Sequence, residues 1–240
     1  MRLSTDLLRQ GGARIGGIVR SNAYYMLICS LPALPPRFDV DRLPITLERL
    51  QARLRMLEPE DAQTINRLLD ILGWSRQVVE ATDTAVVKRY SELMQEVTNP
   101  LVREVFAADM DVRMIVAALR RRRHGLGPPT VGVGQWVEHI RRHFNQPDFR
   151  LGHVFPWILP FEQLLEQGDV LNLYRQVLGV TWAYVKKRAE DYDFTFEAVV
   201  LYLARWEIIR HWQQLQAERG RAVFEALVTE ALGEYAKLYS

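Results

Sequence analysis

Residues 99–125 read NPLVREVFAADMDVRMIVAALRRRRHG, and this stretch decides the fold class. Asn99 followed by Pro100 is a helix start. The side-chain oxygen can accept from a first-turn N–H, and proline at the first helical position sacrifices no hydrogen bond. Leu101, Val105, Val112, Ile115, Val116 and Leu119 then fall on one stripe. Arg120–Arg123 put cations in the last turn, where they complement the helix dipole, and Gly125 supplies a left-handed stop. A helix from Pro100 to about His124 is expected.

The same grammar extends in both directions. Thr46 can cap a helix over Leu47–Leu57, and Pro59 suits the start of another whose apolar stripe is Ile65, Leu68, Leu69 and Leu72, stopped at Gly73. Ser75 opens a third, carrying Val78, Val79, Val86 and Leu93. Beyond the long helix, Gly127-Pro128-Pro129 through Gly134 reads as a linker. Helices are expected over Gln135–Phe144, near Phe161–Gln167 and over Val170–Glu190, with Pro156–Pro160 irregular between them. Thr195 or Asp193 opens a further helix to about Glu218. Gly220 marks a break or kink before a final amphipathic segment, Arg221–Leu238. The only strand-like run is Tyr24–Ser30.

The fold expected is therefore all-α, a multi-helix bundle forming one compact domain. Its parts are a flexible basic leader over 1–22, a first helical part over 23–125, the linker over 126–134 and a second helical part over 135–240.

Composition narrows the function classes. With 240 residues, 48% hydrophobic and 25% charged, the chain is neither disordered nor a rod, and a net charge of +2 is too small to announce a nucleic-acid binder. Cys29 is the only cysteine, so no intrachain disulfide can form. No run of about 18 apolar residues suggests a membrane span. The leader carries Arg2, Arg9, Arg14 and Arg20 against Asp6, without the apolar core of a secretory signal.

Each chemical motif has a plainer reading beside it. Gly11, Gly12, Gly16 and Gly17 look like a phosphate loop, but Ile18 and Val19 stand where such a loop needs Lys and a hydroxyl. His139 and His143, four apart, could share a metal with His153, yet Arg141 and Arg142 between them repel a cation, so an exposed basic helix face is the expectation. Cys29 in Met26-Leu27-Ile28-Cys29-Ser30-Leu31 reads as a buried structural thiol. Arg120, Arg121, Arg122 and Arg123 lack interleaved aromatics for base stacking and read as a solvated helix end or a protein-docking patch. No catalytic residue, cofactor or metal ligand is assigned, and an enzyme is not expected.

One feature is costly enough to need an explanation. Phe196–Gln216 is apolar nearly all round in its first half, yet its stripe Phe196, Val200, Leu203 continues into Glu207 and Arg210. A structural ion pair from Glu207 to Arg113 or Arg120 across a helix–helix contact is expected. The alternative is a local pair with Arg210 at i+3, or a carboxylate reaching water.

These two helices also carry a family likeness. Phe106-Ala-Ala-Asp109-Met-Asp111-Val-Arg113 through Leu119-Arg120 to Gly125 resembles a helix of the V-type ATPase C-subunit family, the d-subunit family of eukaryotes. That helix runs aspartate, then Asn-hydrophobic-Lys/Arg, then Leu-Arg, and here Val112 replaces the asparagine. The segment from Phe196 through Tyr202 to Arg205-Trp206-Glu207-Ile-Ile-Arg210 resembles that family's later tyrosine- and leucine-rich repeat. Tyr24-Tyr25 through Ser30-Leu31-Pro32 is similar to the start of an uncharacterised bacterial family encoded beside V-type ATPase genes. The likeness covers about sixty residues.

What the resemblance implies is mechanical. It implies pseudo-repeated three-helix units around a central opening, forming a non-enzymatic coupling subunit that joins the central shaft of a rotary ATPase to its membrane rotor ring. The implied partners are a shaft subunit and a proteolipid ring, with the protein cytoplasmic and peripheral to the inner membrane. No nucleic acid and no small-molecule substrate are implied. The rival expectation is a helical adaptor or regulatory protein with an unrelated protein partner; a metal-dependent helical enzyme using His139, His143 and His153 is the third.

Overall fold

The computed structural model describes residues 14–15, 18–19, 24–66 and 83–238, and over these the chain is an all-α multi-helix bundle. A two-residue antiparallel ladder, β1 (Arg14–Ile15) with β2 (Ile18–Val19), precedes the helices, with Arg14 opposite Val19. Then follow α1 (Tyr25–Ser30), α2 (Leu47–Leu54), α3 (59–66), α4 (Asp83–Glu96), α5 (Pro100–Arg123), α6 (Val137–Arg142), α7 (Ile158–Gln167), α8 (Val170–Ala189) and α9 (Phe196–Leu238).

The helix starts arise where the caps stand. Thr46 accepts from the Arg49 N–H, and Asn99 Oδ1 accepts from the Val102 N–H at 3.1 Å. Asn99 also donates through Nδ2 to Glu197 Oε1 at 2.8 Å, so one residue both starts α5 and ties it to the start of α9. Thr195 Oγ1 receives the Ala198 N–H at 3.4 Å. At the other end of α5, the His124 N–H returns to the Arg120 carbonyl and Gly125 turns out at φ +65°.

Among the described residues four apolar clusters make the core, and α5, α8 and α9 each contribute to three of them. Val102 and Phe106 of α5 meet Val199, Leu203 and Trp206 of α9 beneath α1 and α2. Ile115 and Leu119 of α5 join α6, α7 and Leu173 of α8. Trp182 of α8 meets Ile209 and Trp212 of α9 around Phe38. The smallest cluster, Leu101, Val185 and Leu201, takes one residue from each long helix. Leu201 and Val185 are wholly buried, and each such side chain stabilises the fold by about 1.5–3 kcal/mol. Residues on both sides of 126–134 share these clusters, so the linker runs over one body.

Helix α9 also pins the irregular 31–46 segment. Tyr202 Oη donates to the Pro32 carbonyl at 3.0 Å, Trp206 Nε1 to Ile45 at 2.9 Å and Gln213 Nε2 to Val40 at 3.2 Å. The spacing i, i+4, i+11 places all three on one helix face. Backbone carbonyls with no helix of their own are thereby satisfied.

Several expectations are corrected. Tyr24–Ser30 is helical, not extended: α1 sets Leu27 inward and bonds Ile28 N–H to Tyr24 carbonyl at 2.9 Å. Pro160 lies inside the first turn of α7, where N–H groups have no intrahelical acceptor and proline costs nothing. Helix α9 continues through Gly220 without a break. The Glu60–Leu72 helix is described over 59–66, and Leu68, Leu69, Leu72, Gly73, Ser75, Val78 and Val79 lie outside the described residues, as do Gly11, Gly12, Gly16 and Gly17.

Candidate docking site

The four arginines ending α5 do not share one environment. Arg121 Nε donates to the Gly127 carbonyl at 2.9 Å, holding the turn after the helix. Arg122 reaches further: its guanidinium donates to the carbonyls of Phe144 (3.1 Å), Gln146 (2.5 Å) and Pro147 (2.6 Å) and to Glu162 Oε1 (2.6 Å). Its central carbon also lies 4.6 Å from the Phe149 ring centre. Arg122 is thus a clamp on the 144–149 turn. Arg120 and Arg123 are exposed, as is Arg142 on α6, and these are what the end of α5 presents outward.

The turn that Arg122 clamps is strained. Phe149 (φ 53°) and Arg150 (φ 58°) are consecutive left-handed residues without glycine, an arrangement costing roughly 1–2 kcal/mol per residue. Asp148 offsets this by accepting the Arg150 N–H at 2.9 Å and the Gly152 N–H at 3.1 Å. Those amides hold its carboxyl below the usual range. His139 Nε2 lies 3.0 Å from the Phe149 carbonyl.

His139 is therefore engaged with the backbone, and its ring centre is 4.5 Å from that of His143. Partial burial lowers the His143 pKa, and His139, Arg150 and Arg142 lower it further. Among the described residues no group of three His, Cys, Asp or Glu side chains could hold a metal ion.

Among the described residues two acids are buried, Asp111 and Glu207. Glu207 is met by Arg210, whose Nε lies 3.1 Å from both carboxylate oxygens and whose terminal nitrogen lies 2.9 Å from Oε2. Arg113 Nε donates to Asp109 Oδ2 at 2.7 Å. Each of these pairs lies within one helix; a bridge from Glu207 to Arg113 or Arg120 is not one of them. One turn of helix brings Arg210 to Glu207 without a second element.

Asp111, which no sequence motif flagged as buried, accepts the Gln135 N–H at 3.2 Å. Burial raises its pKa to about 6, opposed by the bond from Gln135. Gly134 explains the tight fit: at φ +107° it avoids strain, and a Cβ there would stand 2.2 Å from Asp111 Oδ1. The signal was an aspartate among Met110 and Val112 with a glycine before a helix.

Cys29 corrects another expectation. The thiol is exposed, because α1 turns Leu27 into the core and leaves Tyr25, Met26 and Cys29 outside. Between α5 and α8, Tyr184 Oη donates to Glu104 Oε1 at 2.7 Å and Arg188 to Glu104 Oε2 at 3.0 Å.

At the end of α5, Arg121 and Arg122 are thus held by internal hydrogen bonds while Arg120 and Arg123 stay exposed. The chain belongs to a family described as a protein family of unknown function, DUF2764, whose model matches residues 68–233. No curated protein and no solved structure matches it. No helix among the described residues is long and apolar enough to cross a membrane.

Proposed function

We propose that the protein is a non-enzymatic coupling subunit of a bacterial V/A-type rotary ATPase, set between the central shaft and the proteolipid ring. The observation that carries this reading is the placement of the two segments that resemble the V-type ATPase C-subunit family. They are α5 and the first part of α9, the long helices joined at the Leu101–Val185–Leu201 cluster. A part that transmits torque needs its shaft-facing and ring-facing helices in one stiff body, and shared core residues supply stiffness. The exposed Arg120 and Arg123 would meet an acidic surface on the shaft subunit. The protein would sit in the cytoplasm, peripheral to the inner membrane through these partners.

The test is affinity purification of the tagged full chain from native membranes at low salt. Rotary ATPase subunits should copurify, and the Arg120→Glu/Arg123→Glu double variant should lose them while folding normally. Membranes that yield the ATPase without this chain would end the proposal. Association with an unrelated protein instead would favour a helical adaptor.

A further inference from the structure

An open cleft of about 590 Å³ lies between the 36–39 segment and helices α7 and α8, well away in sequence from the arginines ending α5. Its walls include Trp157, Phe161 and Trp182, and its mouth carries Arg37 and Arg175. Both arginines converge on Asp39. Arg37 donates through Nε to Oδ1 (2.9 Å) and through a terminal nitrogen to Oδ2 (2.6 Å), and Arg175 binds the same Oδ2. The Asp39 side chain is only 10% exposed, whereas Arg37 and Arg175 are 69% and 45% exposed.

Two guanidiniums on one carboxylate leave a net positive charge. Each guanidinium has five N–H donors, and most of them are not spent on Asp39. The shared carboxylate fixes the direction in which they point, which lowers the entropy lost when a second anion arrives. A mouth of this kind over an aromatic wall fits a ligand that is apolar at one end and anionic at the other.

Gly179 supplies an independent sign. It stands inside α8, where glycine is a poorer helix former than alanine. The fold does not demand it: a Cβ there would meet only Phe38 Cε1, at an ordinary 3.8 Å. What a side chain at 179 would take up is the cleft, which Gly179 lines.

We propose that this cleft seats a peptide segment of a partner protein, in which an aromatic side chain enters against Trp157 and Trp182 while a neighbouring carboxylate pairs with Arg37 and Arg175. The cleft exceeds the volume of one aromatic ring, leaving room for the flanking backbone. A single net charge suits one or two carboxylates rather than a polyanion. The inference stands apart from the rotary-ATPase reading, since any partner with such a segment satisfies it.

The probe is an acetylated, amidated Asp-(4-fluoro-Phe)-Asp peptide, titrated with the full chain and followed by fluorine NMR. Binding should weaken by roughly fivefold or more when both aspartates become asparagine, and by a similar factor with Arg175→Gln, the loss of one charge-assisted contact. Gly179→Leu should abolish binding. Gly179→Ala, which should melt no lower than the parent, should weaken it and so separates blocking from misfolding. Equal affinity for the asparagine peptide, indifference to Arg175→Gln and Gly179→Ala, or no line broadening at millimolar peptide would each overturn the proposal. Tighter binding of 3-(4-fluorophenyl)propionate than of the peptide would reassign the cleft to a small aromatic acid.

Discussion

The Arg122 guanidinium lies 4.6 Å above the Phe149 ring, while its nitrogens hold three carbonyls between 144 and 147 and one oxygen of Glu162. Removing it takes the guanidinium from those carbonyls, of which Gln146 keeps the Phe149 N–H at 3.1 Å, and leaves the left-handed pair Phe149–Arg150 without its clamp. Arg122→Met should destabilise the chain by about 2–4 kcal/mol, whereas Arg120→Met and Arg123→Met should each stay within about 0.5 kcal/mol. Urea titrations of the three variants check this. Equal losses across the three would contradict a division of labour within the run.

Arg150 is exposed and left-handed. Glycine relieves its backbone strain and keeps the N–H that Asp148 accepts, so Arg150→Gly should leave stability unchanged or raise it by up to about 1 kcal/mol. The β-branched Arg150→Val should lower it by a similar amount. Thermal melts that order the two the other way would sink the assignment.

Asp111 gives a pH signature with a defined sign. Burial raises its folded pKa from 3.8 to about 6, so between those values the folded state holds more protons than the unfolded one. Its contribution is most favourable below about 4 and is lost as pH rises through about 6, by about 2–3 kcal/mol in all. Asp39 works oppositely: Arg37, then Arg175, lower it to about 2, so its contribution is present above about 4 and is lost as pH falls toward 2. Asp111→Asn keeps an acceptor for Gln135 and should flatten the profile between pH 4 and 6. Stability measured across that range in the two proteins decides the matter. Gly134→Ala should cost more than about 2 kcal/mol, since its Cβ would enter the Asp111 carboxylate at a positive φ.

The exposed Cys29 thiol should react with a chromogenic disulfide reagent in native buffer at a rate close to that in denaturant. A thiol that reacts only after unfolding would restore the buried reading.

Much of the helical order was legible in the sequence because its signals are local. The Thr46 and Asn99 caps act within three residues, and the apolar first half of α9 marks a buried helix by its own composition. What escaped depends on chain return. Arg122 meets carbonyls 22 to 25 residues away and Glu162 at 40, so nothing near it distinguishes it from Arg120 or Arg123. Asp111 is buried by a turn 24 residues later. Cys29 misled because α1 is so short that only Leu27 of its six residues is fully buried. The cleft brings Arg175 to Asp39, 136 residues away, beyond any periodic pattern.

The cluster of Leu101, Val185 and Leu201 has a consequence for how the chain comes apart. A seam passing through all three long helices leaves no half able to melt while the other survives. Denaturation should therefore be a single cooperative transition, and hydrogen exchange at these three amides should report the global opening event.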